Sequence, residues 1–180
     1  MPHREPTIAF SGRYLDVIWE QGVEYTHNRR SRGVVLVIPV TADNEIVFLE
    51  QYRVPLKRTV IEYPAGLVGD EADVSSESFE DAARRELLEE SGYEAIELEL
   101  VMRGPASPGS STEVVTFYLA RNARKVHVGG GAGHERIQVH AIKLDEANHW
   151  LATKEQTDGV LVDPRVYLGI YLARERLEGR

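Results

Sequence analysis

The chain has 180 residues, 42% hydrophobic and 28% charged, with a formal charge of −8 and no cysteine. That length predicts one compact unit burying roughly two thirds of its unfolded surface, and the lack of cysteine excludes a disulfide framework or thiolate metal site. The acidic balance disfavours nucleic acid, whose nonspecific grip needs lysine and arginine; with no apolar run near the roughly twenty residues of a membrane helix and no secretory layout in Met1-Pro2-His3-Arg4-Glu5-Pro6, a cytoplasmic protein without membrane partner is expected.

From Arg13 to Asn28 the sequence reads as a hairpin, with Leu15-Asp16-Val17-Ile18-Trp19 and Val23-Glu24-Tyr25-Thr26-His27 about a Glu20-Gln21-Gly22 turn. Gly33 to Val40 is a near-continuous apolar run, the pattern of a strand buried on both faces, and a second strand, Ile46 to Arg53, follows an Asp43-Asn44 turn. Val60-Ile61-Glu62-Tyr63 is a short strand ended by Pro64-Ala65-Gly66. A polar segment, Gly69 to Ser78, leads into a helix predicted over Phe79 to Ser91, with Ser78 and Asp81 as a capping box and Gly92 as the stop.

Further strands are predicted at Ile96 to Arg103, Glu113 to Ala120 and Ile137 to Lys143, the first two separated by the turn-rich Gly104 to Thr112. Before the last lies Gly129-Gly130-Gly131-Ala132-Gly133-His134-Glu135, whose glycines either relieve a strained backbone or let the segment move. Two helices close the chain, Asp145 to Ala152 and Pro164 to Leu177, the second with Asp163 as N-cap and Pro164 in its first position. No internal repeat or linker interrupts the pattern. The N-terminal hairpin segment, residues 1–32, stands apart from one domain, residues 33–180.

Stepping about 100° per residue along the predicted helix puts Phe79, Ala82, Ala83, Glu86, Glu89, Glu90 and Tyr93 in one arc roughly 120° wide. The core-facing stripe therefore turns acidic halfway along. A solvated helix keeps its carboxylates opposite the apolar stripe, and like charges at i, i+3 and i+4 cost about a few tenths of a kcal/mol per pair. A cation is expected to offset them, and carboxylate oxygens suit Mg²⁺ or Mn²⁺. Alone, an E-x-x-E-E triplet is more often a charged surface face. Its surroundings decide otherwise.

Glu77, seven further positions, and then Arg85-Glu86-Leu87-x-Glu89-Glu90-x-Gly92-Tyr93 resemble the Nudix box, G-x5-E-x7-R-E-U-x-E-E-x-G-U with U apolar, a long and specific motif. Gly66 matches its first glycine, yet ten residues rather than five separate Gly66 from Glu77. That insertion is expected to lengthen a surface loop and leave the helix intact. Tyr93 is more polar than the residue usual at that place. The resemblance implies the Nudix fold, an α/β/α sandwich of the α/β (α+β) class with a central mixed β-sheet, here with an N-terminal β-hairpin added. It further implies a hydrolase in which Glu86, Glu89 and Glu90, with the Ala65 carbonyl, hold Mg²⁺ or Mn²⁺. Arg85 joins Glu89 among the catalytic residues, while Glu77 and Arg85 both match box residues that mostly buttress this geometry, a structural ion pair being the alternative to direct catalysis. Water would attack a diphosphate phosphorus, with metal lowering the pKa of bound water.

Flanking sequence, roughly Arg13 to Leu177, resembles the ADP-ribose pyrophosphatase branch and its GDP-mannose-hydrolysing relatives. Ser107-Pro108-Gly109 is placed like the proline that marks the branch, fifteen positions past Tyr93. Glu50-Gln51-Tyr52-Arg53 and Ile61-Glu62-Tyr63-Pro64-Ala65-Gly66 match its strands before the box. The likeness implies a nucleoside diphosphate sugar as substrate, ADP-ribose first, beside it a generalist tolerant of several sugars, with GDP-mannose or a non-catalytic nucleotide-sugar sensor as alternatives. Arg53 is expected to fork onto phosphate, Glu62 to meet base or ribose, Glu113 the sugar, and Ser107 and Gly109 to line the substrate loop. Glu135 resembles the loop glutamate that serves as base, with His134 as rival and a solvated loop carboxylate as alternative. The hairpin resembles the branch's dimerisation segment, so a homodimer is expected, an ordinary packing hairpin being the alternative.

Overall fold

The computed structural model describes residues 5–69, 76–131, 136–177 and 179. Thr7–Ser11 (β1), Leu15–Glu20 (β2) and Val23–Asn28 (β3) form an antiparallel three-stranded sheet in that order. The predicted hairpin is its β2–β3 half. β1 escaped prediction because all five of its residues are exposed, leaving no in-out alternation to read.

A mixed sheet of nine strands follows: Val34–Thr41 (β4), Glu45–Arg53 (β5), Arg58–Glu62 (β6), Ala65–Leu67 (β7), Tyr93–Glu94 (β8), Glu97–Pro105 (β9), Val114–Lys125 (β10), Ile137–Lys143 (β11) and Leu161–Val162 (β12). Its helices are Phe79–Glu86 (α1), Ala147–Asp158 (α2) and Pro164–Leu177 (α3), with a π turn at Leu87–Ser91 continuing α1. β4 is buried along all but its last residue, as its apolar run predicts. Alternate β4 side chains enter opposite layers. Leu36 and Ile38 pack with Phe48, Ile61, Leu151 and Ile170 on the side of α2 and α3, whereas Val35 and Val37 pack with Val47, Ala82 and Leu87 beneath α1. Each such fully buried aliphatic side chain contributes roughly 1.5–3 kcal/mol, so β4 alone outweighs any surface ion pair in fixing the α/β/α layering.

The sheet divides below the β4–β5 turn. Val40↔Ile46 is the one registered pair between these strands among the described residues. Further along, β6 pairs with β5 at Leu49↔Glu62 through Arg53↔Arg58, while β7 pairs with β4 at Leu36↔Ala65 through Val34↔Leu67. The short Tyr63-Pro64 link thus passes from one half to the other and delivers Glu62 and Ala65 to the same region.

Several expectations need correction. The single helix over Phe79 to Ser91 is α only to Glu86 and π thereafter. Half of the capping box forms: Ser78 Oγ accepts the Asp81 N–H at 3.1 Å, but the Asp81 carboxylate accepts from the Ser78 hydroxyl at 2.6 Å instead of reaching the Ser78 backbone. α2 runs to Asp158 rather than Ala152, because its stop is Gly159 in the left-handed region, φ 63. β10 continues past Ala120 to Lys125, where its end pairs with β8. The Asp163 cap is as predicted, its Oδ1 accepting the Arg165 N–H at 2.8 Å.

Candidate active site

Two carboxylates of the box helix meet the Ala65-Gly66 backbone of β7. Glu90 is 6% exposed, and its Oε2 accepts the Ala65 N–H at 2.9 Å. Glu86 lies against Gly66 so closely that a Cβ there would come 2.0 Å from its Oε1. Gly66 is therefore required by space. Its hydrogen atom is what lets a carboxylate cross the strand at backbone distance.

Arg85 balances this charge from within the cluster. Its Nε donates to Glu77 Oε1 at 2.9 Å and Nη2 to Glu77 Oε2 at 3.3 Å; Nη1 reaches Glu86 Oε1 at 2.7 Å and Glu89 Oε2 at 3.4 Å. Nη2 also donates to the Leu67 carbonyl at 3.3 Å. The Glu77 hydrogen bond, opposed by burial and aided by Glu86, raises the Arg85 guanidinium above its ordinary value, so it stays charged. Glu77 is itself anchored by the Gly69 N–H at 3.4 Å, and its carbonyl accepts from Arg32.

The donor set fits a hard divalent cation. Glu86 and Glu90 converge on one strand, a cradle that a Cβ at position 66 would fill, and their oxygens are of the type Mg²⁺ or Mn²⁺ takes. Among the described residues, no three acidic or histidine side chains already surround a common point. The reason is visible in Glu89, whose side chain is 44% exposed. Stepping at α-helical angles puts Glu89 on the core-facing stripe; the π turn alters the phase and carries it outward. Glu86 and Glu90 are the carboxylates placed to hold a cation, and Glu89 stands at the rim beside Arg85.

Arg53 and Glu62 are paired with each other, Nε to Oε1 at 2.6 Å and Nη2 to Oε2 at 2.9 Å, a two-pronged contact across β5 and β6. Beside them is a pair that sequence reasoning missed. Asp163 backbone N–H binds the Ile61 carbonyl at 3.0 Å, and its carboxylate accepts the Arg165 guanidinium, Nε to Oδ2 at 2.9 Å. Burial pushes the Asp163 carboxyl up, but the Arg165 hydrogen bonds outweigh it and hold the carboxyl below its ordinary value. Arg165 is raised first by its hydrogen bond to Asp163, against burial, and feels the charges of Glu62 and Glu113 as well. Arg53, Glu62, Asp163, Arg165 and Glu113 thus share one electrostatic neighbourhood. The Asp-Pro-Arg order was a readable signal for the cap but not for the arginine folding back onto it.

Ser107 and Gly109 are exposed in the loop between β9 and β10. Ser107 Oγ contacts Ser110 Oγ at 2.7 Å, and its carbonyl accepts the N–H groups of Ser110 and Ser111. The loop docks on β3, with the Thr26 N–H on the Ser110 carbonyl at 2.9 Å and the Thr112 N–H on the Thr26 carbonyl at 3.0 Å. Thr26, His27, Arg32, Arg103, Thr112 and Glu113 line a cavity of about 330 Å³ at this junction. Glu135 and His134 lie outside the described residues, as does most of the insertion before Glu77. A further cluster, also unforeseen, joins Glu50 Oε2 to His140 Nε2 at 2.9 Å and to Lys154 Nζ at 3.0 Å.

A box helix laid on a glycine-bearing strand, inside an α/β/α sandwich, defines a class, and the NUDIX domain family model matches residues 30–163. The chain belongs to the NUDIX family and is a hydrolase of that family. It is 34% identical to a methanol dehydrogenase activator of Bacillus methanolicus, covering 88% of this chain and 87% of the relative. It is 31% identical to an ADP-ribose pyrophosphatase of Bacillus subtilis, covering 86% of each chain. A GDP-mannose pyrophosphatase of Escherichia coli is 29% identical over 82% of this chain and 80% of its own. The fold matches the crystal structure of an ADP compounds hydrolase with a TM-score of 0.73 at 21% identity, covering 97% of this chain and 92% of that one.

Proposed function

We propose that this hydrolase cleaves the diphosphate of nucleoside diphosphate sugars, ADP-ribose first, giving AMP and ribose 5-phosphate, with GDP-mannose as the alternative substrate. The observation that carries the reading is the convergence of Glu86 and Glu90 on Ala65-Gly66, a short link away from the Arg53–Glu62 fork. The ADP-ribose and GDP-mannose pyrophosphatases among its relatives support the substrate class.

Glu86, Glu89, Glu90 and the Ala65 carbonyl would hold Mg²⁺, or Mn²⁺ in its place, which when bound lowers the pKa of its water and neutralises diphosphate charge. Glu90, fixed by the Ala65 N–H, keeps a constant aim. Arg85 restrains the carboxylates from mutual repulsion, and Glu77 holds Arg85. Arg53 offers a planar fork to phosphate on exchanging Glu62 for substrate, which leaves Glu62 to a ribose or base edge. Ser107, Gly109 and Glu113 border the sugar. Glu135 takes the proton of the attacking water.

The N-terminal segment, residues 1–32, serves as a dimerisation unit beside the hydrolase domain, residues 33–180; exposure of Ile8 (59%) and Phe10 (65%) supports a homodimer. The protein acts in the cytoplasm. The test is release of AMP from ADP-ribose with Mg²⁺, run beside GDP-mannose, nucleoside triphosphates and a chelator control. Glu135→Gln should lower turnover and leave metal affinity unchanged; wild-type turnover in that variant removes Glu135 as base. A second reading, a sensor acting on a partner enzyme, draws on the methanol dehydrogenase activator among the relatives. Absence of turnover with every nucleotide sugar would leave that reading standing.

A further inference from the structure

We infer that Gly129-Gly130-Gly131 is a brace that sets the aim of the Glu89 and Glu90 carboxylates, a positioning role in the reaction proposed above that rests on that reading. The last carbonyls of a helix lack donors within it. Here the glycine run supplies them from outside: the Gly130 N–H donates to the Glu90 carbonyl at 2.9 Å and the Gly131 N–H to the Glu89 carbonyl at 3.1 Å. The two peptide groups so fixed belong to the two residues whose side chains lead one into the site and one to its rim.

The turn being braced is the unusual one. A π turn is rare in isolation and commonly sits at functional sites. Here Ser91 Oγ donates to the Leu87 carbonyl at 2.5 Å, and Gly92 leaves the helix at φ 74 with its N–H on the Leu88 carbonyl at 2.9 Å. The Gly92 carbonyl accepts the N–H groups of Val126 and His127, at 2.9 and 3.0 Å, so the chain that enters the glycine run is already tied to the helix end. A change in the hydrogen bonding of this turn would rotate the Glu89 and Glu90 side chains relative to β7, where Glu90 now accepts the Ala65 N–H.

Glycine is required on both sides of the contact. Gly129, Gly130 and Gly131 have φ of 72°, 109° and 82°, which disfavour any L side chain. A Cβ on Gly129 would lie 2.4 Å from the Ser91 carbonyl carbon, and one on Gly92 would lie 2.1 Å from the His127 oxygen. Gly129 to Gly131 thus take the strained backbone that the sequence allowed for, and close docking at Gly129 adds a requirement that the sequence did not show.

Gly129→Ala tests the brace against Gly159→Ala. Gly159 is also left-handed, φ 63, but its Cβ would meet nothing within 4 Å, so it reproduces the backbone strain without the contact. Mn²⁺ affinity by calorimetry and electron paramagnetic resonance, kcat and KM for ADP-ribose, and the unfolding temperature are read for both. Gly129→Ala should weaken Mn²⁺ by roughly 10- to 100-fold, the cost of losing support behind a metal ligand, and lower kcat more than it raises KM. Assayed well below both unfolding temperatures, where stabilisation of the fold by bound metal adds no folded protein, saturating Mn²⁺ should still restore part of the turnover. Equal Mn²⁺ affinity and kcat in the two variants would overturn the brace. In the wild type, the Gly130 and Gly131 amide protons should exchange slowly; exchange at the rate of free peptide would overturn it without any variant. Should wild type hydrolyse no nucleotide sugar, the functional reading fails while Mn²⁺ affinity and amide exchange still decide the brace.

Discussion

Arg85→Met removes a cation that touches three carboxylates of the box, those of Glu77, Glu86 and Glu89. The Glu89 contact is 3.4 Å long with an acceptor 44% exposed, so screening reduces it to tenths of a kcal/mol. The Glu77 and Glu86 carboxylates decide the result, with side chains 6% and 12% exposed. Deleting one partner of such a buried pair costs about 3–5 kcal/mol, because carboxylates withdrawn from water lose their guanidinium counter-charge. For a chain of this size about 2–4 °C is lost per kcal/mol, which predicts a fall of roughly 6–20 °C in the unfolding temperature. The assay is circular dichroism with a chelator present, repeated over a Mg²⁺ titration. Because Arg85 and the metal would share Glu86 and Glu89, Mg²⁺ should recover more stability in the variant than in wild type. A chelated variant that unfolds within about 2 °C of wild type would refute the reasoning, since no redistribution of screened charge could hide a loss of that scale.

Glu90→Gln keeps an oxygen for the Ala65 N–H, so unfolding should change little, while hydrolysis of ADP-ribose falls by roughly 10²- to 10³-fold, the scale of one charge lost at a reaction centre; near-normal turnover would remove Glu90 from the site. Gly66→Ala puts a methyl 2.0 Å from Glu86 Oε1 and should cost about 1–3 kcal/mol of stability while weakening Mg²⁺, both read from one thermal titration. The folded Asp163 carboxyl lies below its unfolded value of about 3.9, so its pairing stabilises fully above that pH and is lost as pH falls through the lower, folded value. Asp163→Asn should therefore be less stable than wild type at neutral pH and converge with it in acid; a constant gap across an acid titration would show the pair to be silent. Arg53→Ala should raise KM for ADP-ribose more than it lowers kcat, and an unchanged KM would place phosphate elsewhere.

What the sequence displayed plainly were patterns with a local cause. The unbroken apolar run of β4 had to be a strand covered on both faces, and Asp163-Pro164 had to begin a helix, because each depends on neighbours in the chain. Glu86, Glu90 and Gly66 were legible through motif spacing. Their contact is a matter of backbone clearance, to which spacing gives no access. The outward turn of Glu89 was hidden because helical stepping assumes α geometry, while the π turn depends on donors from Gly130 and Gly131 far along the chain. The Arg53–Glu62 pair was hidden as well, since the register sets Glu62 opposite Leu49 and Arg53 opposite Arg58 and the two side chains meet along the strands instead of across one rung. The end of α2 at Gly159 was missed because the polar Lys154-Glu155-Gln156-Thr157-Asp158 tail resembles a loop until Lys154 is seen bridging Glu50 and Asp158.

The pairing of β4 with β10 also bears on how the chain reaches this state. Val34 is matched in parallel with Val115, 81 positions later, and the pairing continues to Thr41 opposite Ala123. A ribosome making residues in order at about 5–20 per second would leave the most apolar strand without that edge partner for several seconds. During that interval β5 can fold back at Val40↔Ile46 and β7 can pair with Val34 to Leu36, but the opposite edge of the strand waits for β10. Parallel closure at such separation is slow, so nascent chains truncated before β10 should be the form that chaperones hold and that aggregates when synthesis outpaces them.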